Sequence, residues 1–386
     1  MKTAPESDGE ALRKELRGWL ESNLDERFRQ AGSALTASAA SLGVLREWNR
    51  RLAENAWVAI AWPREWGGRA ASVAEQVAFA EEMDRAEAPS PVNLIGLSNI
   101  APAILEHGTE AQRRRFLEPM RRGDEIWSQG FSEPEAGSDL ASLRATAVRH
   151  GEGWLVNGQK TWNTLGLVAD FCELLVRTDP NVPRHAGLTC LLVDLRLPGV
   201  EVRPIRTITG EVEFAEIFFT DVELPASAVL GEPGAGWRVA MPTLNSERGG
   251  VASLHLMVRR RIRRLIEATR LALDPDGSPR TADPCVRRAL ARLHVDGELL
   301  RALCERALAG MIANRPGPEA ALTKLVWSRT EQRIAEVAAE VLGAEALGGE
   351  WARARLQARS YSIAGGTTQI NKNLVARRVL GLPKGN

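Results

Sequence analysis

Cysteine and histidine are scarce in this chain, four and five respectively among 386 residues. Cys172, Cys190, Cys285 and Cys304 are scattered through apolar sequence, without a Cys-x-x-Cys pair or a histidine at ligand spacing. That pattern argues against a structural zinc and against a disulfide framework. His107, His150, His185, His255 and His294 have no triad or metal-ligand context, so serine-hydrolase and metalloenzyme readings are poor. An excess of one charge is also missing: 50 Lys plus Arg face 49 Asp plus Glu, a net charge of +1. There is no bulk attraction to nucleic acid or to an anionic membrane. The basic run "MVRRRIRRLIEATR" (Met257 to Arg270) is punctuated by Ile262, Leu265 and Ile266 at helical spacing and lacks interleaved aromatics. It reads as the wet or intersubunit face of a helix. No run approaches the length of a membrane span, and "MKTAPESDGEALRKEL" lacks an apolar signal core, so a cytoplasmic location is expected.

What is present is enough chain for two or three domains, or for one large composite core. Over residues 1–125 apolar positions recur at helical spacing, as in Leu12, Leu16, Trp19 and Leu20 and again in Val77, Phe79, Ala80 and Met83, predicting packed helices. Over residues 126–232 the pattern changes. "ATAVRHGEGWLVNGQKTW" reads as two strands around a Gly-Glu-Gly turn, followed by the β-rich runs "FCELLVRT", "GLTCLLVDL" and "VEFAEIFFTDVELP", a small barrel-like β domain. Over residues 233–386 helical periodicity returns, broken by "DPDGSPRTADP", "NRPGPEA" and "LGGE", predicting a bundle of helices. The fold class is therefore α+β. Helices, then strands, then helices, without alternating βαβ units, argue against a Rossmann fold. Gly231, Gly234 and Gly236 accordingly read as a turn into a helix, not as a dinucleotide fingerprint.

Two stretches carry candidate chemistry. In "GFSEPEAGSDL", Gly130 to Leu140, small and hydroxyl residues cluster at the helical-to-β boundary. Such a loop either lets backbone and hydroxyl groups approach a ligand or is simply a turn-rich linker. In "NGQKTWNTLG", Trp162 and Thr164 follow a strand. An aromatic plane beside a hydroxyl suits a flat heterocycle such as a flavin, although by residue type alone a tryptophan at a strand end belongs in the core.

Together with "WPREWGG" (Trp62 to Gly68), "TGEVEFAEIFFTDVELP" (Thr209 to Pro225), "GWRVAM" and "GGTTQINKNLVARRVLGLP", and with the domain order, these stretches resemble the acyl-CoA dehydrogenase family over nearly the whole chain. The resemblance implies an N-terminal helical domain, a central β domain and a C-terminal four-helix bundle, with FAD bound between domains and across a subunit interface. It implies that Phe131 and Ser132 touch the flavin, the Ser132 hydroxyl at its pyrimidine edge. Trp162 would lie against the flavin, with Thr164 near its N5, while Thr367 and Gln369 meet the ribityl and adenosine portions. Ser138 would face the pantetheine or phosphate part of CoA. Asn163 stands where the family usually has Thr or Ile, a change expected to be tolerated.

The family's reaction removes a proton from the α carbon of a thioester while hydride leaves the β carbon for the flavin, giving a trans-2-enoyl product. It needs a placed carboxylate and donors aimed at the enolate oxygen. Many relatives carry a glutamate just before the Gly-Thr that opens the last helix. This chain has Gly365 there, inside "SYSIAGGTTQIN", a stretch without acid or histidine. Other relatives place the base in a Glu-Arg dipeptide on the first long helix of the bundle, and "TLNSERGGVAS" puts Glu247 and Arg248 at that position. Gly249 and Gly250 would each weaken a helix interior by roughly 1 kcal/mol relative to Ala. Gly250 leaves room for a ligand on the Glu247 face, and Leu244 and Val251 on that face would desolvate the acid and raise its pKa. The alternative is a surface Glu-Arg pair, which gains little because residues one apart do not face each other. Gly365 would then be a backbone N–H donor to the thioester carbonyl at a helix start near Thr367, and Arg248 would point to the CoA side or buttress the bundle. Glu211, Glu213 and Glu216 alternate with apolar residues in a strand pattern and read as structural or solvent-facing.

One departure bears on assembly. Many homomeric relatives clamp a neighbour's FAD pyrophosphate with an Arg-x-x-Phe-Gly segment. Here "SPRTADPCVRR" offers Arg280 without Phe-Gly, a pattern of branches that assemble from two related chains. The resemblance therefore implies either a homodimer or homotetramer or a heterotetramer with a related chain, and an electron-transfer flavoprotein as reoxidant. The alternatives are a subunit completing a partner's FAD site, a dehydrogenase of acyl or aminoacyl groups on a carrier protein, and a flavin-dependent oxidase or monooxygenase on the same scaffold.

Overall fold

Leu12, Leu16 and Leu20 recur every fourth residue, and all three are buried along one stripe of helix α1 (Glu6–Asn23). The structure, a computed structural model, describes residues 6–36, 38–249, 254–313, 317 and 319–383, with the backbone alone at 6–8, 36, 39 and 245–249. After α1 come α2 (Glu26–Gln30), α3 (Ala39–Glu54), α4 (Val73–Arg85), α5 (Ala101–His107) and α6 (Glu110–Arg122). Trp19 leans on Trp48 and Trp57 with ring centroids 5.5 and 6.3 Å apart, and the Trp48 Nε1 donates to the Pro89 carbonyl at 2.9 Å. Two of these helices start where short polar side chains satisfy free N–H groups: Ser72 and Glu75 form a reciprocal capping box on α4, and Thr109 and Gln112 form one on α6.

Strands follow as expected: β1 (Trp127–Gly130), β2 (Thr146–His150), β3 (Gly153–Thr164), β4 (Phe171–Arg177), β5 (Leu188–Asp194), β6 (Val200–Ile205), β7 (Phe214–Leu224) and β8 (Val229–Leu230). The Gly-Glu-Gly turn joins β2 to β3 in antiparallel register, from His150 opposite Gly153 to Thr146 opposite Asn157. The hydrogen-bonded order is β6-β7-β3-β2-β4-β5-β8, with β1 parallel to β4. β2 meets β4 through the single pair Thr146 and Arg177. The sheet thus folds into two halves that share one core, in which Val156 of β3 and Ile217 of β7 meet Leu174 of β4 and Val193 of β5. Among the described residues the sheet does not close, its path ending at β6 and β8. Beyond the strands expected from the sequence, β1 and β8 are four and two residues long, too short for a periodic signal, whereas β6 does alternate, from Val200 to Arg203.

The turn at Gly231 and Gly234 leads into α7 (Gly236–Gly249). Val239 and Ala240 of α7 lie in the same apolar cluster as the N-terminal helices. Thr243, one turn on, donates its hydroxyl to both oxygens of buried Glu173 on β4 at 3.1 Å. The first of two compact units ends at Glu247, and the second begins at Arg248. The second contains α8 (Leu254–Leu271), α9 (Pro284–Ile312), α10 (Glu319–Leu342), α11 (Gly349–Gln357) and α12 (Thr368–Arg378). In the basic helix α8, Val258, Ile262 and Leu265 form the apolar stripe and pack with Leu293 and Leu300 of α9 and Ile334 and Val341 of α10. The arginines between them occupy the remaining faces, as their spacing predicts.

One buried acid ties α1 to α4. Glu82 of α4 is almost fully buried and accepts from Arg17 of α1 at 2.8 and 3.1 Å and from Arg85 at 2.8 Å. The Arg17 hydrogen bond, above all, holds its carboxyl below the ordinary value. A depressed folded pKa adds stability that is complete above the ordinary carboxylate range and is lost as pH falls through it. Glu82→Ala is expected to cost about 2 kcal/mol at neutral pH. The gap between wild type and variant in urea unfolding should narrow from about pH 5 to about pH 3, and a gap constant across that window would contradict the assignment.

Candidate functional site

The end of β3 and the segment after β1 are laced together by hydrogen bonds. Lys160 Nζ donates to the Phe131 carbonyl at 3.0 Å, and the Thr161 N–H donates to the Ser132 carbonyl at 2.9 Å. Asn163 Nδ2 donates to the Gln129 carbonyl at 2.8 Å, and Ser128 Oγ donates to the Thr164 carbonyl at 2.8 Å. Phe131, Ser132, Trp162 and Thr164, 30 or so positions apart in sequence, are therefore gathered into one corner of the β layer. Asn163 is buried and its Nδ2 ties β3 to β1, while its Oδ1 has no hydrogen-bond partner among the described residues.

Trp162 corrects the expectation drawn from residue type. Its flanking residues Thr161 and Asn163 are buried, yet its own side chain is 58% exposed. The β3–β7 register shifts between Lys160 and Asn163, and Trp162 takes φ +60 inside that bulge. The extra residue turns the indole outward, where Phe214 lies edge-on to it at 5.8 Å. A left-handed backbone at a bulky residue costs about 1 kcal/mol or more, and strain of this kind concentrates at functional positions.

Phe131, by contrast, is packed into the core with 3% exposure, so what it contributes at the corner is its peptide group. Ser132 and Thr164 are half-buried. Their hydroxyls, and the Ser132 N–H, take no partner among the described residues. An exposed indole plane beside open donors fits a planar heterocycle carrying carbonyl acceptors.

Sequence reasoning missed the pair beneath this corner. Lys160 is completely buried and bonds to the Glu133 carboxylate at 2.8 Å. Glu133 also accepts from the Arg144 and Ala145 N–H groups at 2.6 and 2.8 Å. Burial lowers the Lys160 pKa, and the Glu133 charge opposes that shift. The signal was available: counting by twos from the buried Trp154 and Val156 places Lys160 on the inward face of β3, and a lysine there requires a buried acid.

Ser138 is exposed farther along the same loop. A cavity of about 460 Å3 along the same loop is lined by Glu135, Ser142, Arg144, Arg177 and Arg184, among others, though not by Ser138 itself. Arg184 pairs with Asp139 at 2.9 Å and Arg144 with Glu135 at 2.8 Å, so the basic rim is partly neutralised. The backbone of Glu247 and Arg248 lies in the last turn of α7. Their side chains, and Gly250 and Val251, lie outside the described residues. Glu213, just before β7, is buried, and Glu216 in β7 accepts from Gln159 at 2.9 Å.

In the second unit, Gly365 and Gly366 take φ +64 and +92, left-handed values that favour glycine. Asn371, buried in α12, donates to the Gly366 and Thr367 carbonyls at 2.8 and 3.1 Å. Lys324 donates to the Tyr361 carbonyl at 2.8 Å. The turn is thus held by its carbonyls, while the Gly365 and Gly366 N–H groups take no partner among the described residues. Thr367 is the N-cap of α12, its hydroxyl accepting from the Ile370 N–H at 3.2 Å, and Gln369 is exposed one turn in. Arg280 is turned inward: it donates to the Val341 carbonyl at 2.9 Å and lies 3.7 Å from both Asp274 and Glu345. No cluster of metal-ligating side chains occurs among the described residues. Cys172, Cys190 and Cys304 are buried, and burial pushes the Cys304 thiol up to about 11, away from thiolate chemistry.

Helices, then a β layer, then a helical bundle make the chain a three-part α+β protein, and its family follows from comparison with known proteins. The profiles of the acyl-CoA dehydrogenase N-terminal, middle and C-terminal domains match residues 6–124, 128–222 and 234–380. The chain belongs to the acyl-CoA dehydrogenase family. It is 40% identical over 388 residues to acyl-CoA dehydrogenase IpdE1 of Mycobacterium tuberculosis, covering 98% of both chains. Among solved structures it is similar to a chain of the ChsE4-ChsE5 complex of Mycobacterium tuberculosis, with a TM-score of 0.86, 30% identity and 100% of each chain covered. It is also similar to a chain of the Tcur3481-Tcur3483 steroid ACAD, with a TM-score of 0.87, 28% identity and 100% of each chain covered. No helix among the described residues is long and apolar enough to cross a membrane.

The displayed state of Trp162 is directly testable. Trp162→Gly removes the edge contact with Phe214 but relieves the left-handed backbone, two effects that offset. Its stability in urea should stay within about 1 kcal/mol of wild type, whereas a core tryptophan would lose roughly 3–5 kcal/mol on truncation.

Proposed function

We propose that the protein is an FAD-dependent dehydrogenase that converts an acyl-CoA thioester to its trans-2-enoyl form, with Glu247 as the base. The observation that carries this reading is the laced corner that displays Trp162 beside the open donors of Ser132 and Thr164. When bound, FAD supplies the hydride acceptor for the β carbon. The chain's own residues do the rest. Glu247 takes the α proton, so that the electron pair of the C–H bond forms the new double bond as hydride leaves. The Gly365 N–H donates to the thioester carbonyl oxygen, favouring the charge that develops there as the α carbon loses its proton. Trp162 supplies a stacking plane and, with Phe131, Ser132 and Thr164, orients the flavin, while Thr367 and Gln369 hold its ribityl and adenosine portions. Ser138 and the basic-rimmed cavity along the same loop are assigned to the pantetheine and phosphate part of CoA, and Arg248 to the CoA side of the base. This division of labour explains how a chain with Gly365 at the more usual position of the acid can be active.

Glu247→Gln should retain FAD, since the carboxylate has no part in holding it, and should lose the anaerobic bleaching of the flavin by substrate by at least about a thousandfold in rate. Bleaching at the wild-type rate in that variant would remove Glu247 as the base. The substrates to try first are thioesters of bulky polycyclic acyl groups, because a similar structure is that of a steroid ACAD. Comparing each as the CoA, carrier-protein and bare pantetheine thioester tests the role given to the cavity.

Arg280 favours a second reading, on assembly. A guanidinium held by Val341, Asp274 and Glu345 within its own chain is a poor clamp for a neighbour's pyrophosphate, and two of the similar structures are complexes of two different chains. We infer a heteromer with a related chain, reoxidised by an electron-transfer flavoprotein. Expressed alone, the protein should purify with substoichiometric flavin, and co-expression with a genomically adjacent homologue should give a yellow complex. A fully yellow homomer would overturn the inference.

A further inference from the structure

The Lys160–Glu133 pair lies under the candidate flavin corner, and the geometry of one peptide unit gives it a role beyond packing. A trans peptide directs its C=O and N–H to opposite sides. Lys160 is fully buried and holds the Phe131 carbonyl at 3.0 Å, so the N–H of the same peptide, that of Ser132, points away from the ammonium. That N–H takes no partner among the described residues. The next carbonyl along, that of Ser132, is held by the Thr161 N–H at 2.9 Å. Both carbonyls flanking the Ser132 N–H are therefore fixed from the β3 side, and the donor is left as the open pole of a polarised peptide. Hydrogen bonds in series strengthen one another, and an ionised donor polarises its acceptor more than a neutral one.

We propose that Lys160, neutralised by Glu133, is a positioning residue that orients and polarises the Phe131–Ser132 peptide, so that the Ser132 N–H favours the reduced flavin over the oxidised one. The inference rests on the FAD reading above. Hydride uptake brings two electrons and one proton, which adds one negative charge to the flavin. A donor strengthened from behind by a buried ammonium gains most in the state that carries that charge. Glu133 has the complementary task. Its charge opposes the lowering of the Lys160 pKa by burial, and its bonds to the Arg144 and Ala145 N–H groups anchor the pair to the loop leading into β2.

The test uses holoprotein, with the partner chain if flavin retention requires it, and compares the affinities for oxidised and reduced FAD through the midpoint potential. Lys160→Met removes the charge and the donor. The double variant Lys160→Met/Glu133→Gln removes both buried charges together and guards against misfolding from an unpaired Glu133. A merely structural role would weaken both flavin states alike and leave the potential where it was. The proposal expects the ratio of reduced to oxidised affinity to fall at least tenfold in both variants, with the Trp162 environment, read by its fluorescence in the flavin-free protein, unchanged. Either folded variant keeping the wild-type ratio would overturn it. A wild-type protein that binds no FAD, alone or with its partner, would overturn the underlying reading and this inference together.

Discussion

A lysine ammonium sealed inside a β layer is the constraint on which the arrangement of the rest depends. Moving an isolated charge from water into a protein interior costs several kcal/mol or more, so Lys160 is tolerable only if the chain closes over it with partners in place. Those partners are the Glu133 carboxylate and the Phe131 carbonyl, and both belong to the loop between β1 and β2. Once they are engaged, that loop cannot lie elsewhere. Ser132 is placed between them, the residues leading into β2 hang from Glu133 through the Arg144 and Ala145 N–H groups, and Trp162 follows two residues after Lys160 inside the bulge.

The bulge turns this buried anchor into a surface feature. Strict alternation along β3 would carry Trp162 inward with Lys160. The register shift between Lys160 and Asn163 breaks it and leaves the indole outside, at a left-handed backbone. The hydrogen bonds from Asn163 to Gln129 and from Ser128 to Thr164 over-determine that conformation, so the local strain persists. On the other side of β4, the bonds from Thr243 to Glu173 tie α7 into the same unit one turn before Glu247.

The second unit solves a comparable problem with glycine. Its terminal turn needs two successive left-handed residues, and Gly365 and Gly366 supply them while Asn371 and Lys324 hold the neighbouring carbonyls. A side chain at either position would be strained, so an acid at 365 and this backbone are alternatives. The inward turn of Arg280 follows from the same economy: without a following Phe-Gly, its guanidinium satisfies the end of α10 through the Val341 carbonyl.

The sequence by itself determined the order of helices, strands and helices, the buried stripes of α1 and α8, the β2–β3 hairpin and the membership of the family, because these rest on local periodicity and on motifs read in order. It also brought forward Trp162, Ser132, Thr164 and the glycine pair as candidates. It did not reveal which way Trp162 faces, what Lys160 is for, that Phe131 offers a peptide and not a ring, or that Arg280 is already occupied. Each of these depends on partners 20 to 60 or so positions away, and on a bulge whose location is set by pairing with β7. Periodicity along one strand carries no information about the strand beside it; only the folded chain, by bringing Glu133 to Lys160 and Val341 to Arg280, decides which charges are sealed inside and which groups remain free to meet a ligand.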